Sequence, residues 1–188
     1  MDADWSVELG ADDPALEFPW STPDGSQQYV DLAAHPEAVH GIEEAVRHAP
    51  LREFLVKLNS SESPWQTVKC DVWLDDEVIA DELIVGGKVR VGSYVDLIRR
   101  NSGERYSFER HESWVKAVAA RLPSTDDDAS ECELIVRRCY YHRDADPEGD
   151  SDAGFYVTVY VFGYGGDEAA AEKAWAAGLT LVSSALAE

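Results

Sequence analysis

Tyr94-Val95-Asp96-Leu97 is the stretch on which the fold turns. The same four letters stand earlier as Tyr29-Val30-Asp31-Leu32 and return loosely as Tyr156-Val157-Thr158-Val159. Each copy follows a strand-like run and precedes a helix-like run. The tyrosines at 29, 94 and 156 keep a period of about 60 residues, the scale of a repeated supersecondary unit. The chain is therefore read as strand, strand, helix, three times over, in units 1–62, 63–124 and 125–188 of a single domain. Hairpin-joined strands followed by helices point to an α+β fold, a mostly antiparallel sheet of about six strands with three helices packed on one face.

Outward from that stretch, the flanking elements follow from periodicity and punctuation. Phe155 to Phe162 is β-branched and aromatic throughout and is read as a strand. In Thr67 to Leu74, Val68, Cys70, Val72 and Leu74 share one face while Lys69, Asp71 and Trp73 share the other. Gly86-Gly87 suits the hairpin that joins this run to Lys88–Ile98. Ser107 is placed to cap a helix running to about Leu122, with Phe108, His111, Val115, Val118 and Leu122 on one stripe. Asp167 caps a final helix that turns Ala171, Trp175, Leu179, Val182 and Leu186 inward. Near the start, Trp5 to Leu9 alternates like a strand, and Pro19 confines Leu16–Trp20 to a sheet edge. Pro36 opens a helix with Val39, Ile42 and Val46 at helical spacing, and Pro50 interrupts it before Leu51, Phe54, Leu55 and Leu58.

A chain of 188 residues, 45% hydrophobic, can bury a sizeable core without staples. Its formal charge of -21, from 37 acidic against 16 basic residues, repels phosphate backbones and anionic membranes, so neither nucleic acid nor membrane is an expected partner. Such charge serves solubility or steers a basic partner. The amino terminus has neither a basic segment nor an apolar run of the secretory kind, and Cys70, Cys132 and Cys139 fall in strand-like runs rather than in a spaced framework. Both features lead to the expectation of a cytoplasmic protein with reduced thiols.

Motifs that carry chemistry are sparse. Asp144, Asp146, Glu148 and Asp150 alternate ahead of Phe155 like the opening of a calcium loop, but a strand residue stands where the bidentate Glu belongs, so a solvated hairpin loop is expected. His111 is a candidate general base with Glu112 beside it, although helical spacing puts His111 on the apolar stripe and the second His of a zinc-protease motif is missing. Cys139 and His142 sit an odd number of residues apart, on opposite strand faces, and cannot share a metal. Gly163–Gly166 precedes a helix without dinucleotide or P-loop spacing. No cofactor is expected.

The candidate site is a surface. Strand parity sends Tyr156, Tyr160 and Phe162 away from the helices, together with Trp73, Arg90, Tyr94 and Asp96, and with Tyr29 and Asp31 of the first unit. Aromatics interleaved with charges on a sheet face resemble an interface. The expected function is an acidic interaction domain that holds a protein partner or a second copy of itself on this face, rather than an enzyme. The alternative is a small enzyme or ligand-binding protein with a pocket between sheet and helix, for which His111, Glu112, Asp96 and Arg90 are the polar groups.

Overall fold

A computed structural model describes residues 1–22, 24–75, 87–122, 129–143 and 150–187. The fold is α+β. Among the described residues six strands form one sheet: β1 (Asp2–Glu8), β2 (Ala15–Phe18), β3 (Trp65–Asp75), β4 (Val89–Arg99), β5 (Ser130–His142) and β6 (Ser151–Gly165). The helices are α1 (Glu43–Arg47), α2 (Ala49–Leu58), α3 (Phe108–Arg121) and α4 (Glu168–Leu186), with a 3-10 turn at Pro36–Gly41. Strand order is β1-β5-β6-β4-β3. The β3/β4, β4/β6 and β5/β6 pairs are antiparallel, while β1 and β2 run parallel to β5 at successive registers and together make one broken edge.

Two of the three motif copies become neighbours at the centre of this sheet. Tyr94 pairs with Tyr160, Val95 with Val159, Asp96 with Thr158 and Leu97 with Val157. The odd-numbered residues of both strands face the helices. Val91, Val95, Leu97, Val157, Val159 and Val161 join Cys132, Leu134 and Val136 of β5 in one core with Leu51, Leu55, Val115, Val118, Trp175, Leu179 and Val182. Ser107 and Asp167 cap α3 and α4 by accepting from Arg110 N and Ala170 N, and the apolar stripes of both helices are buried as their spacing requires. Trp175 is fully buried and still satisfied, because its indole N–H donates to Ser93 Oγ at 2.8 Å. Close approach of α4 to β6 depends on Gly163, where a Cβ would lie 2.1 Å from the backbone N of Trp175.

Three local expectations fail. The first motif copy is not a strand: Asp31 Oδ1 accepts from Ala33 N and Ala34 N, both at 3.0 Å, and folds the chain into a turn. A bulge between Thr67 and Lys69 breaks the alternation in β3, so Val68 faces away from Cys70 and Val72, and Leu74 stays exposed at the strand end. In α1 it is Ala45 that is buried and Val46 that is exposed, since a 3-10 turn precedes the helix and resets its phase. Gly86, with the turn read there, lies outside the described residues, as do Asp144, Asp146 and Glu148.

Candidate functional site

The sheet face away from the helices is divided in two. Over the half nearest β2, the amino-terminal segment folds back and buries Leu16, Val68, Ile98, Cys139, Tyr141 and Tyr156 in a second, smaller core, against which Phe18, Trp20 and Tyr29 pack. Trp20 Nε1 donates to Val68 O at 2.8 Å and fixes this flap to β3. Gln66 holds its far end, donating to Tyr29 Oη and, at 3.0 Å, to Asp31 Oδ1. Tyr156 is thus enclosed, at 4% exposure, and is separated from the other aromatics of its strand.

The other half stays open. Trp73, Tyr94, Tyr160 and Phe162 are each half-buried, with ring centroids 6.4 Å apart for Trp73–Tyr160, 6.1 Å for Trp73–Phe162 and 6.0 Å for Tyr94–Tyr160. Tyr160 and Phe162 stack at 6.0 Å. Gly92 allows this arrangement. It lies opposite Trp73, and a Cβ there would come within 2.6 Å of the indole, so only glycine lets the ring lie down on the strand. Guanidinium groups already use two of the rings, Arg90 over Phe162 at 5.2 Å and Arg137 over Tyr160 at 5.7 Å. Arg90 is held in place by Asp75, with Nε donating to Oδ2 at 2.9 Å.

Beneath the rings runs a chain of polar groups that crosses four strands. Arg137 Nε donates to Glu8 Oε2 at 2.7 Å, its Nη1 donates to Thr158 Oγ1 at 3.0 Å, and Thr158 donates to Asp96 Oδ1 at 2.7 Å. Asp96 is 5% exposed, and burial raises its carboxyl to about 6 against the opposing pull of Thr158, Arg137 and Lys69. The third motif copy carries Thr where the second carries Asp, and the two positions face each other. Two carboxylates there would repel across the ladder, whereas Asp and Thr make a hydrogen bond.

An acidic fringe flanks the rings on the β1/β5 side. Asp2 lies opposite Glu131 and Asp4 opposite Glu133, like charges in cross-strand register on the face that bears Tyr160 and Phe162. Glu131 accepts from Tyr164 Oη at 2.8 Å. Among the described residues none of these four carboxylates forms an ion pair with Lys or Arg. Burial raises the carboxyl of Glu133, and the neighbouring Glu8 and Glu131 push it further in the same direction. Comparison with family models, with curated proteins and with solved structures finds no match to this chain.

Parity thus brings Trp73, Arg90, Tyr94, Asp96, Tyr160 and Phe162 together. The four polar groups named for a pocket between sheet and helix do not converge, because Asp96 and Arg90 are on the outer face while His111 and Glu112 belong to α3 on the other. His111 is buried, with Nδ1 at 2.8 Å from Ser107 O, and burial lowers its pKa. Glu112 pairs with Lys116 at 2.8 Å on the surface of α3. Asp150 is exposed, and among the described residues no cluster of His, Cys, Asp or Glu is arranged to hold a metal. Arg137, Gly92 and the fringe on β1 and β5 escape a reading by motif. For Glu131, Glu133 and Arg137 the signal is the parity of β5, where these odd-numbered residues alternate with Cys132, Leu134 and Val136.

Proposed function

We propose that this chain is a protein-binding module that holds a basic partner on the open half of its sheet face. One observation carries the reading: Trp73, Tyr94, Tyr160 and Phe162 remain half-exposed beside like-charged carboxylate pairs that form no ion pair with Lys or Arg among the described residues. Large aromatics on a satisfied polar floor give an interface area and rigidity at small entropic cost. The fringe chooses the partner's sign. Self-association across a two-fold axis would bring the same acids face to face, so the partner is a different molecule, rich in Arg or Lys. Arg90 and Arg137, lying over Phe162 and Tyr160, show the contact that a partner's guanidinium would repeat on Trp73 and Tyr94. A cytoplasmic setting accords with three free thiols, two of them buried. The shared order of hairpin and helix in 65–122 and 130–186, with the motif strands paired, supports an internal repeat of that unit.

The test is a fluorescence titration at physiological ionic strength with a short peptide that alternates arginine and alanine. Replacing Trp73 and Tyr160 together by Ala leaves the net charge unchanged and should weaken binding about 30-fold, the equivalent of roughly 2 kcal/mol at an interface hot spot. Circular dichroism checks that the double variant is folded. Equal binding by the parent and the double variant would mean that the peptide responds to net charge alone, and the reading fails. Sedimentation of the free protein should give a monomer at every concentration.

A further inference from the structure

β3 stands at one end of the sheet, with β4 as its strand neighbour among the described residues. We propose that the second half of this edge, Cys70 to Leu74, takes an extended basic segment of the partner protein as an added strand, an inference that rests on the basic partner proposed above.

Ladder phase decides which backbone groups point outward. Arg100 N donates to Pro64 O at 3.0 Å, and bonded positions alternate in an antiparallel pair, so Gln66 bonds to β4 while Trp65 and Thr67 turn away. Beyond the bulge Lys69, Asp71 and Trp73 lie opposite Asp96, Tyr94 and Gly92, which continue the bonded series of Arg100 and Ile98. Cys70, Val72 and Leu74 therefore direct N–H and C=O outward. Side-chain contacts agree, since Thr67 N donates to Asn59 Oδ1 at 3.1 Å and Val72 N to Asp71 Oδ1 at 2.8 Å.

The two halves of the edge differ. Before Lys69, Trp65 O accepts from Arg100 Nε and Val68 O from Trp20 Nε1, both at 2.8 Å, and Asn59 takes Thr67 N. From Cys70 on, among the described residues no protein group meets Cys70 N, Leu74 N or the carbonyls of Cys70, Val72 and Leu74. Burial breaks at the same place: residues 65–68 are buried, whereas Leu74 is 47% exposed although its ladder partner Val91 is 5% exposed. Two clefts border this strand, each lined from both faces of the sheet. One of about 380 Å³ lies between Trp20 and Lys69 of the outer face and Leu55 and Cys70 of the helix face, and one of about 240 Å³ joins Trp73 to Val72, Leu74 and His48. Space bordered by both faces of an end strand lies at its free edge, where a further strand fits.

Carboxylates set the sign of that strand. Glu43 and Glu44 border the first cleft, Glu168 and Glu172 the second, and Asp71 is exposed on the strand itself. Arg47 pairs with Glu43 and His48 lies 3.9 Å from Glu172, but among the described residues Glu44, Glu168 and Asp71 form no ion pair with Lys or Arg. Lys69 lies over Trp20, 5.2 Å from the ring centre. A second copy of the chain would bring the same carboxylates together. An added strand sets its side chains alternately beside Asp71 and Trp73 on the outer face and beside Cys70, Val72 and Leu74 on the other. Arginine suits the first row and a small apolar residue the second, which is the pattern of the arginine–alanine peptide.

Two N-methylated forms of that peptide test the proposal, one methylated at every alanine and one at every arginine. Both keep the charge and the side chains, and each loses the N–H groups along one edge of the extended peptide. An added strand uses one edge alone, so one form should bind at least tenfold more weakly than the other. On the unmodified chain, saturating peptide should slow the solvent exchange of the Cys70, Val72 and Leu74 amides at least tenfold. Equal binding of the two forms, or saturation without slowing at these amides, overturns the proposal and leaves the aromatic-face reading in place. Equal binding by the parent and the Trp73 and Tyr160 double variant, with the three amides protected, overturns that reading and leaves the edge as the seat of the peptide. A free chain that sediments as a dimer with these amides already protected gives the edge to a second copy and overturns the proposal too.

Discussion

At the scale of single residues, one four-letter string shows how little a tetrapeptide decides alone. Asp31 and Asp96 occupy the same place in Tyr-Val-Asp-Leu, yet Asp31 folds back on Ala33 N and Ala34 N while Asp96 sits in a central strand and accepts from Thr158. Position makes the Asp96 carboxyl unusual, because burial raises it to about 6 from an ordinary 3.8. In that window the native state holds a proton that the unfolded chain has released. Stability from this group is therefore complete below the unfolded value and is lost as pH rises through about 6. A shift of this size corresponds to roughly 3 kcal/mol against the native state at neutral pH. Asp96→Asn keeps an oxygen for Thr158 and cannot ionise. Urea unfolding should show this variant close to the parent near pH 4 and more stable than it by roughly 2–3 kcal/mol near pH 8. Parallel pH profiles for the two proteins would dismiss the assignment.

At the scale of elements, periodicity made α3, α4, β4 and β6 legible, since each repeats its spacing over several turns or residues and each is buried on the side that the spacing names. Parity then placed Trp73, Tyr94, Tyr160 and Phe162 on one face. Illegible were features that depend on distant partners: the bulge that turns Val68 over, the flap that encloses Tyr156, and the return of β1 and β2 to lie parallel to β5. A local pattern carries no record of which strand will be adjacent. Glycines expose the same limit, because neither Gly163 in the run before the last helix nor Gly92 in the strand-like run Lys88–Ile98 shows in sequence the neighbour it makes room for, and both act as spacers inside strands. At Gly163 an added Cβ would meet backbone of α4 at 2.1 Å, and backbone cannot swing aside. Gly163→Ala should therefore cost about 3 kcal/mol in chemical unfolding, at the upper end of overpacking. Gly92→Ala meets the end of an indole instead, at 2.6 Å. Its expected result is a smaller loss of about 1 kcal/mol, a red-shifted Trp73 emission and weakened binding of the arginine peptide. An alanine at Gly163 tolerated as well as one at Gly92 would mean that α4 does not rest on that position.

At the scale of the whole molecule the charge decides behaviour that no contact explains. Pairing every one of the 16 Lys and Arg would still leave the formal excess of 21 negative charges, and Asp2, Asp4, Glu131 and Glu133 concentrate some of it beside the aromatic rings. Mutual repulsion of that excess opposes compactness, whereas ion pairs such as Arg137–Glu8 favour it. Salt screens both, but unequally. Raising sodium chloride from about 10 mM to about 1 M shortens the screening length from roughly 30 to 3 Å, which removes long-range repulsion almost entirely. Half-buried pairs at 2.7 Å, such as Arg137–Glu8, feel far less of it. Net repulsion should win, so the thermal midpoint should rise with salt by several degrees, about 2–4 °C for each kcal/mol in a chain of this size. Glu133→Gln locates part of that effect in the fringe. Burial and its acidic neighbours already disfavour the Glu133 charge, so removing it should stabilise the protein in dilute buffer and make little difference in about 1 M salt. A basic partner would act as the salt does, but only at its own site, so Glu133→Gln should also weaken the arginine peptide while it strengthens the free fold. A variant that gained stability and bound the peptide undiminished would separate the acidic fringe from the binding face.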